Sequence, residues 1–127
     1  MNLLGIDYGQ KRIGLAWVDD GLGVVLPFGV LMNKKEMVLG DLDQLVRDQR
    51  IGKIVIGLPL GLDGSENANT AVVRQFGSSV SRVIHIPCDY MDERLTSQYA
   101  DAMGGEASRD EKSAMVILQS YLDQRKR

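Results

Sequence analysis

The chain has 127 residues, 44% of them apolar and 25% charged, with 17 acidic and 15 basic side chains for a formal charge of −2. That length fits a single domain over residues 1–127, burying about two thirds of its unfolded surface, and the composition excludes a disordered, collagen-like or coiled-coil chain. Apolar runs of only a handful of residues exclude a membrane-spanning helix, the lone Cys88 excludes an internal disulfide, and near-neutral charge excludes coating nucleic acid by bulk electrostatics.

Leu3-Leu4-Gly5-Ile6 is an apolar run ending at Asp7 and followed by Gly9, the pattern of a strand and a turn. Ile13, Leu15 and Trp17 alternate with Gly14 and Ala16, which predicts a second strand; Asp19-Asp20-Gly21 then turns the chain. Val24 to Leu31 reads as a third strand, and Pro27 inside it places that strand at a sheet edge, because proline cannot donate to a central ladder. Asn33 with Glu36 three residues on suggests a capping box, and Val38, Leu39, Leu42, Leu45 and Val46 continue at helical spacing to about Gln49. Ile51 to Leu58 contains a continuous apolar run, as in a strand covered on both faces. Pro59 to Asn67 is a loop, Val72, Phe76 and Val80 mark a helix, and Val83, Ile84 and Ile86 predict a fifth strand running toward Asp89. A short helix from about Thr96 to Met103 and a last one from about Arg109 to Gln124 complete an α/β order with a mixed sheet. The N-terminus lacks the basic flank of a signal peptide, so a cytoplasmic protein without membrane association is expected.

The carboxylates carry the functional signal. Asp7 ends the first strand, Asp92-Glu93 lies just beyond the fifth, and Asp110-Glu111 opens the last helix. If the first and fifth strands run parallel, their carboxyl ends share one rim, which is where open α/β sheets bind ligands. Acids gathered there repel one another unless a cation neutralises them. Hard oxygen ligands of this kind suit Mg²⁺ or Mn²⁺, and two such ions serve phosphodiester hydrolysis. A single strand-end aspartate is ordinarily a turn former, so the argument rests on the group. Within the last helix, Ser108-Arg109-Asp110-Glu111 is a capping-box pattern that gives Glu111 a structural task and leaves Asp110 as the better metal candidate.

Four ordered segments, GIDYGQKRIG (5–14), VIGLPLGLDGSE (55–66), DERLTSQYA (92–100) and DEKSAMVILQSYL (110–122), resemble the YqgF family, also called RuvX, over nearly the whole chain. The resemblance implies a ribonuclease H-like fold, a five-stranded mixed sheet in order 3-2-1-4-5 with the third strand an antiparallel edge, flanked by helices. It also implies a metal-dependent nuclease, processing the pre-16S ribosomal RNA end or resolving Holliday junctions in branched DNA, with Asp7, Glu93 and Asp110 as catalytic, metal-binding acids. Gly104 to Arg109 carries one arginine and one glutamate where relatives are more basic, and Gly61 stands where asparagine is common; both departures bear on substrate grip rather than chemistry.

Lys11, Arg12, Arg94, Arg109 and Lys112 are the candidate phosphate contacts, each weighed against an ordinary solvated cation. Arg125-Lys126-Arg127 suits the negative end of the last helix. His85 and Cys88 lack partners at ligand or nucleophile spacing and read as structural, and Trp17 is not accompanied by an aromatic series on which single-stranded bases would stack. A non-catalytic binding module of the same fold is the competing reading. A nucleotide-binding half of a sugar-kinase-like pair, which GxDxG also allows, needs two such domains and fits 127 residues poorly. Monomer and homodimer both remain open. Two bound ions would reverse the charge at the rim, so grip on nucleic acid should depend strongly on metal.

Overall fold

A computed structural model describes residues 1–93 and 107–125. Its elements are β1 (Asn2–Asp7), β2 (Arg12–Asp19), β3 (Val25–Met32), α1 (Val38–Asp48), β4 (Ile51–Leu58), α2 (Ala68–Ile84), β5 (Cys88–Asp92) and α3 (Arg109–Arg125). They build one five-stranded sheet in the order β3-β2-β1-β4-β5. β1–β2 and β2–β3 pair antiparallel, whereas β1–β4 and β4–β5 pair parallel. This is the mixed sheet expected from the sequence. Pro27 does lie on the edge strand, at a register shift where Ala16 faces Pro27 and Leu15 faces Gly29. The expected helix over 96–103 lies outside the described residues. No helix among the described residues is long and apolar enough to cross a membrane.

Strand periodicity divides the core into two layers. Leu4, Ile6, Ile13, Leu15, Ile54 and Ile56 face α1 and α2, packing with Leu42, Phe76 and Val80. Leu3, Ala16, Val18, Val55 and Met91 face α3 and pack on Ala114, Ile117, Leu118 and Leu122. Because successive side chains alternate across a strand, the second set extends by parity to Asp7 beyond Leu3 and Gly5, and to Glu93 beyond Met91. The same parity that buries α3 therefore brings both acids to its side of the sheet.

Three local expectations change. The fifth strand begins at Cys88, not Val83, because α2 continues to Ile84 and ends at His85 in a left-handed conformation, φ 62°. Val80 and Ile84 are one helical turn apart and both buried, so the apolar run that read as strand completes a helix face. On that helix Val73 is buried and Val72 is exposed. Asn33 does not cap α1; the helix starts at Val38 after Met37, which offers no capping side chain. The Asn33 side chain instead donates through Nδ2 to the Gly9 carbonyl at 2.8 Å, and its backbone N–H donates to the Lys11 carbonyl at 2.9 Å. A tertiary bond that fixes the β1–β2 turn has displaced a local one. α2 carries a true capping box, with Asn67 accepting from the Thr70 N–H and Thr70 Oγ1 accepting from the Asn67 N–H, both at 3.1 Å.

Candidate active site

The carboxyl rim of the parallel strands is assembled by three glycines. Gly14 lies opposite Asp7 in the β1–β2 ladder, and a Cβ on it would collide with the Asp110 backbone. A Cβ on Gly5 would meet Leu118 Cγ at 2.5 Å and the Ala114 carbonyl at 2.9 Å. Both glycines thus permit α3 to lie almost against the sheet, setting its first turn over the end of β1. A Cβ on Gly57, in β4, would fall 2.5 Å from Ile117 Cδ1 and 2.8 Å from Glu93 Cγ. That vacancy lets the Glu93 side chain fold back over the sheet toward Asp7. The sequence reading missed these three positions; glycine inside an apolar strand, which marks a close approach, was the available signal.

Asp7 and Glu93 are brought into direct contact, and their carboxyl groups are hydrogen-bonded to each other. Burial raises the pKa of Asp7, and the nearby Asp110 charge adds to the rise, while the Glu93 hydrogen bond opposes it. Glu93 is pushed up to about 8, first by burial and then by its hydrogen bond to Asp7 and the charges of Asp7 and Asp92. Two carboxyls in one half-buried space favour a state in which they share a proton.

Asp110 stands close enough to be felt by Asp7 but is turned to Arg12, whose Nε lies 3.2 Å from Asp110 Oδ2. Among the described residues no three His, Cys, Asp or Glu side chains are gathered as a ready metal centre. The structure therefore assembles two of the three candidate acids and holds the third beside them in an ion pair. The donor set itself, carboxylate oxygens from three acids gathered at one rim, fits a hard divalent ion.

Glu111 has the task its capping pattern suggested. Ser108 donates to Glu111 Oε1 through N–H at 3.1 Å and Oγ at 2.9 Å, and Ser108 Oγ accepts from the Glu111 N–H at 3.2 Å. Its other oxygen, Oε2, accepts from the Gly29 N–H of β3 at 2.8 Å. These bonds lower the Glu111 pKa, the Ser108 backbone contact most. Gly29, at φ 100°, bends the edge strand so that its N–H reaches the helix.

Of the candidate phosphate contacts, Lys11 is exposed on the β1–β2 turn, Arg12 is paired to Asp110, Arg109 is exposed at the start of α3 and Lys112 is half-buried one turn along. Arg94 lies outside the described residues. His85 ends α2, and Cys88 is half-buried with its thiol pKa raised by burial.

The sequence profile of the RuvX family, described as Holliday junction resolvase, matches residues 1–124. A protein of Anaeromyxobacter sp. (strain Fw109-5) named "Putative pre-16S rRNA nuclease" is 36% identical over 135 residues, covering 98% of this chain and 98% of its own. A protein of the same name from Maridesulfovibrio salexigens is 34% identical over 132 residues, covering 96% and 98%. Among solved structures, T. thermophilus RuvC in complex with a Holliday junction substrate superposes with a TM-score of 0.69, covering 99% of this chain and 96% of that one. At 12% identity that likeness is one of fold.

Proposed function

The chain belongs to the RuvX family, and from that premise we propose that it is a nuclease hydrolysing phosphodiester bonds, with the precursor of the small-subunit ribosomal RNA as its substrate. The observation that carries the reading is the Asp7–Glu93 carboxyl pair, half-buried at the strand ends with Asp110 beside it. Burying like charges together opposes folding. A site that must receive a divalent cation explains the arrangement.

Asp7, Glu93 and Asp110 would hold Mg²⁺ or Mn²⁺, in two ions on this reading, which would supply an activated water and charge stabilisation at the leaving oxygen. The protein's own contribution is placement. β1 fixes Asp7 and the first turn of α3 fixes Asp110, while Gly57 leaves Glu93 the space to reach Asp7. Arg12 is near enough to leave Asp110 for a phosphate oxygen, and Lys11 and Arg109 stand exposed on the flanking turn and helix start. The mildly acidic chain then grips its substrate locally, at the rim.

The names carried by the relatives support the RNA substrate, whereas the description of the family favours a second reading, cleavage of branched DNA. The test is cleavage by the purified chain of a pre-16S RNA fragment and of a four-way DNA junction, with Mg²⁺ or Mn²⁺ and with chelator. Metal-dependent cutting of the RNA that Asp7→Asn abolishes is expected. Cutting that survives Asp7→Asn overturns the mechanism. Preference for the junction transfers the activity to DNA, and metal-independent binding without cutting makes the chain a binding module.

A further inference from the structure

On the opposite side of the sheet from the acids, between the β1–β2 turn, the start of α1 and the Val72, Gln75, Phe76 and Ser79 stripe of α2, lies an open cavity of about 420 Å³. That volume is in the range of sites for small ligands, roughly 300–1,000 Å³. Its aromatic wall is Tyr8 against Phe76, ring centroids 4.5 Å apart and planes at 37°. Val72, 45% exposed on α2, adds aliphatic surface. Asn33 and Gln75 contribute side-chain amides, each carrying a donor and an acceptor, and among the described residues Lys35 is the one charged residue of the lining. The Asn33 amide is fixed in place by its bond to the Gly9 carbonyl.

We propose that this cavity is a subsite for a single unstacked nucleobase of the substrate strand. The inference rests on the nucleic-acid reading above and deepens it, because it supplies a recognition element the acid rim lacks. An aromatic face, an aliphatic face and paired amides are the groups that hold a splayed-out base and read its edge. Among the described residues the lining has one cation and no carboxylate, which suits a ligand attached to phosphate. Position makes the same point: Asp7 and Tyr8 are consecutive, with Cα atoms about 3.8 Å apart, yet they face opposite sides of the sheet. The turn between the two sites carries Lys11 and Arg12. A strand with its scissile phosphate at Asp7 and Glu93 would cross that turn and deliver a neighbouring base to Tyr8. No aromatic series was evident in the sequence because Tyr8 and Phe76 are 68 positions apart (76 minus 8) and meet only through the packing of α2 on the sheet.

The experiment titrates AMP, CMP, GMP and UMP separately into the full ¹⁵N-labelled chain, without divalent cation, with ribose 5-phosphate as the control. At least one nucleotide is expected to shift the Gln75 side-chain amide and the Lys35 and Phe76 amides saturably, with the sugar phosphate leaving them in place. Gln75→Leu, on an exposed helical position that tolerates the change, should weaken that binding by roughly 3–10-fold, the loss expected for one or two neutral hydrogen bonds. Equal shifts with ribose 5-phosphate, shifts confined to the acid rim, or equal affinities of the two chains would each overturn the subsite. Because no cation or cleavage enters this measurement, a chain that binds bases here and cuts nothing would sink the nuclease reading and leave the subsite standing. Cleavage without any effect at Gln75 would do the reverse.

Discussion

The carboxyl groups of Asp7 and Glu93, 86 positions apart in sequence (93 minus 7), are hydrogen-bonded to each other, and both have raised pKa values. Their titration dictates how the metal-free fold responds to pH. Both groups are raised in the folded chain, Glu93 to about 8, whereas in the unfolded chain they titrate at about 4. Between these limits the native state binds more protons than the unfolded state, so stability falls as pH rises, by at most about 1.4 kcal/mol per unit for one proton. The contribution is complete below about pH 4 and is lost on passing through about pH 8. Asp20, Glu66, Asp89 and Glu111 are all lowered by partners, so their effects fall at more acid pH. Urea unfolding of the metal-free protein should show a midpoint that declines from about pH 5 to about pH 8, and Glu93→Gln should flatten that decline. Parallel declines in the two chains would refute the shared proton.

Much of this arrangement was legible in the residues, and the reasons are local. The four apolar strands from Leu3 to Leu58 have no competing helical period, and Pro27 alone was enough to send β3 to the edge. Parallel β1 and β5 put Asp7 and the Asp92-Glu93 pair on one rim, and the family resemblance alone singles out Glu93 within that pair. The boundary near Val83 was not legible, because Val80, Val83, Ile84 and Ile86 satisfy a helical and an extended pattern equally until the left-handed His85 divides them. Asn33 was misread for a different reason: its partner, the Gly9 carbonyl, is 24 residues away, and capping rules see only neighbours. Least legible was the engagement of Asp110 by Arg12, which exists only because Gly14 lets helix and sheet touch.

Arg12 follows from that last contact. Its guanidinium is 64% exposed and the Asp110 side chain 32%, so the ion pair should add no more than about 1 kcal/mol to stability. Its effect on the site is larger in kind: it neutralises and occupies one acid and repels a cation from the other two. Arg12→Ala should therefore raise the affinity for Mn²⁺, by up to about fivefold if about 1 kcal/mol of competition is removed, while weakening the grip on nucleic acid. Calorimetric titration with Mn²⁺ and filter binding at fixed salt measure the two effects. A fall in both affinities would show that Arg12 supports the acids rather than competing for one.

The glycines offer a paired test of close approach. Gly14→Ala places a methyl group into the Asp110 backbone, and relief of such an overlap costs about 1–3 kcal/mol. It should also displace Asp110 from Asp7, so activity should fall by more than the loss of folded protein accounts for. Gly40, in the first turn of α1, has nothing within 4 Å of a Cβ, and Gly40→Ala should stabilise by about 0.5–1 kcal/mol through helix propensity. Thermal melts and cleavage rates of both variants suffice. A Gly14→Ala chain with wild-type cleavage would mean that the height of α3 above the sheet does not set the site.

Asp110 and Glu111 are adjacent acids whose tasks separate by geometry, and conservative substitutions should separate them in function. Glu111 accepts from Ser108 and from the Gly29 N–H, tying the start of α3 to its own cap and to the edge strand. Glu111→Ala removes these acceptors and should cost about 1–2 kcal/mol. Glu111→Gln keeps an acceptor oxygen for the cap and should retain most of the stability and the cleavage rate. Asp110→Asn, by contrast, leaves the helix start intact but removes a charge from the acid group, so the folded variant should bind Mn²⁺ more weakly and lose at least about 100-fold in rate, as expected when a group acting on the transition state is deleted. Melting temperature and single-turnover cleavage, measured on all three variants, place each residue on one axis. Loss of cleavage in Glu111→Gln with Asp110→Asn unaffected would exchange the two assignments.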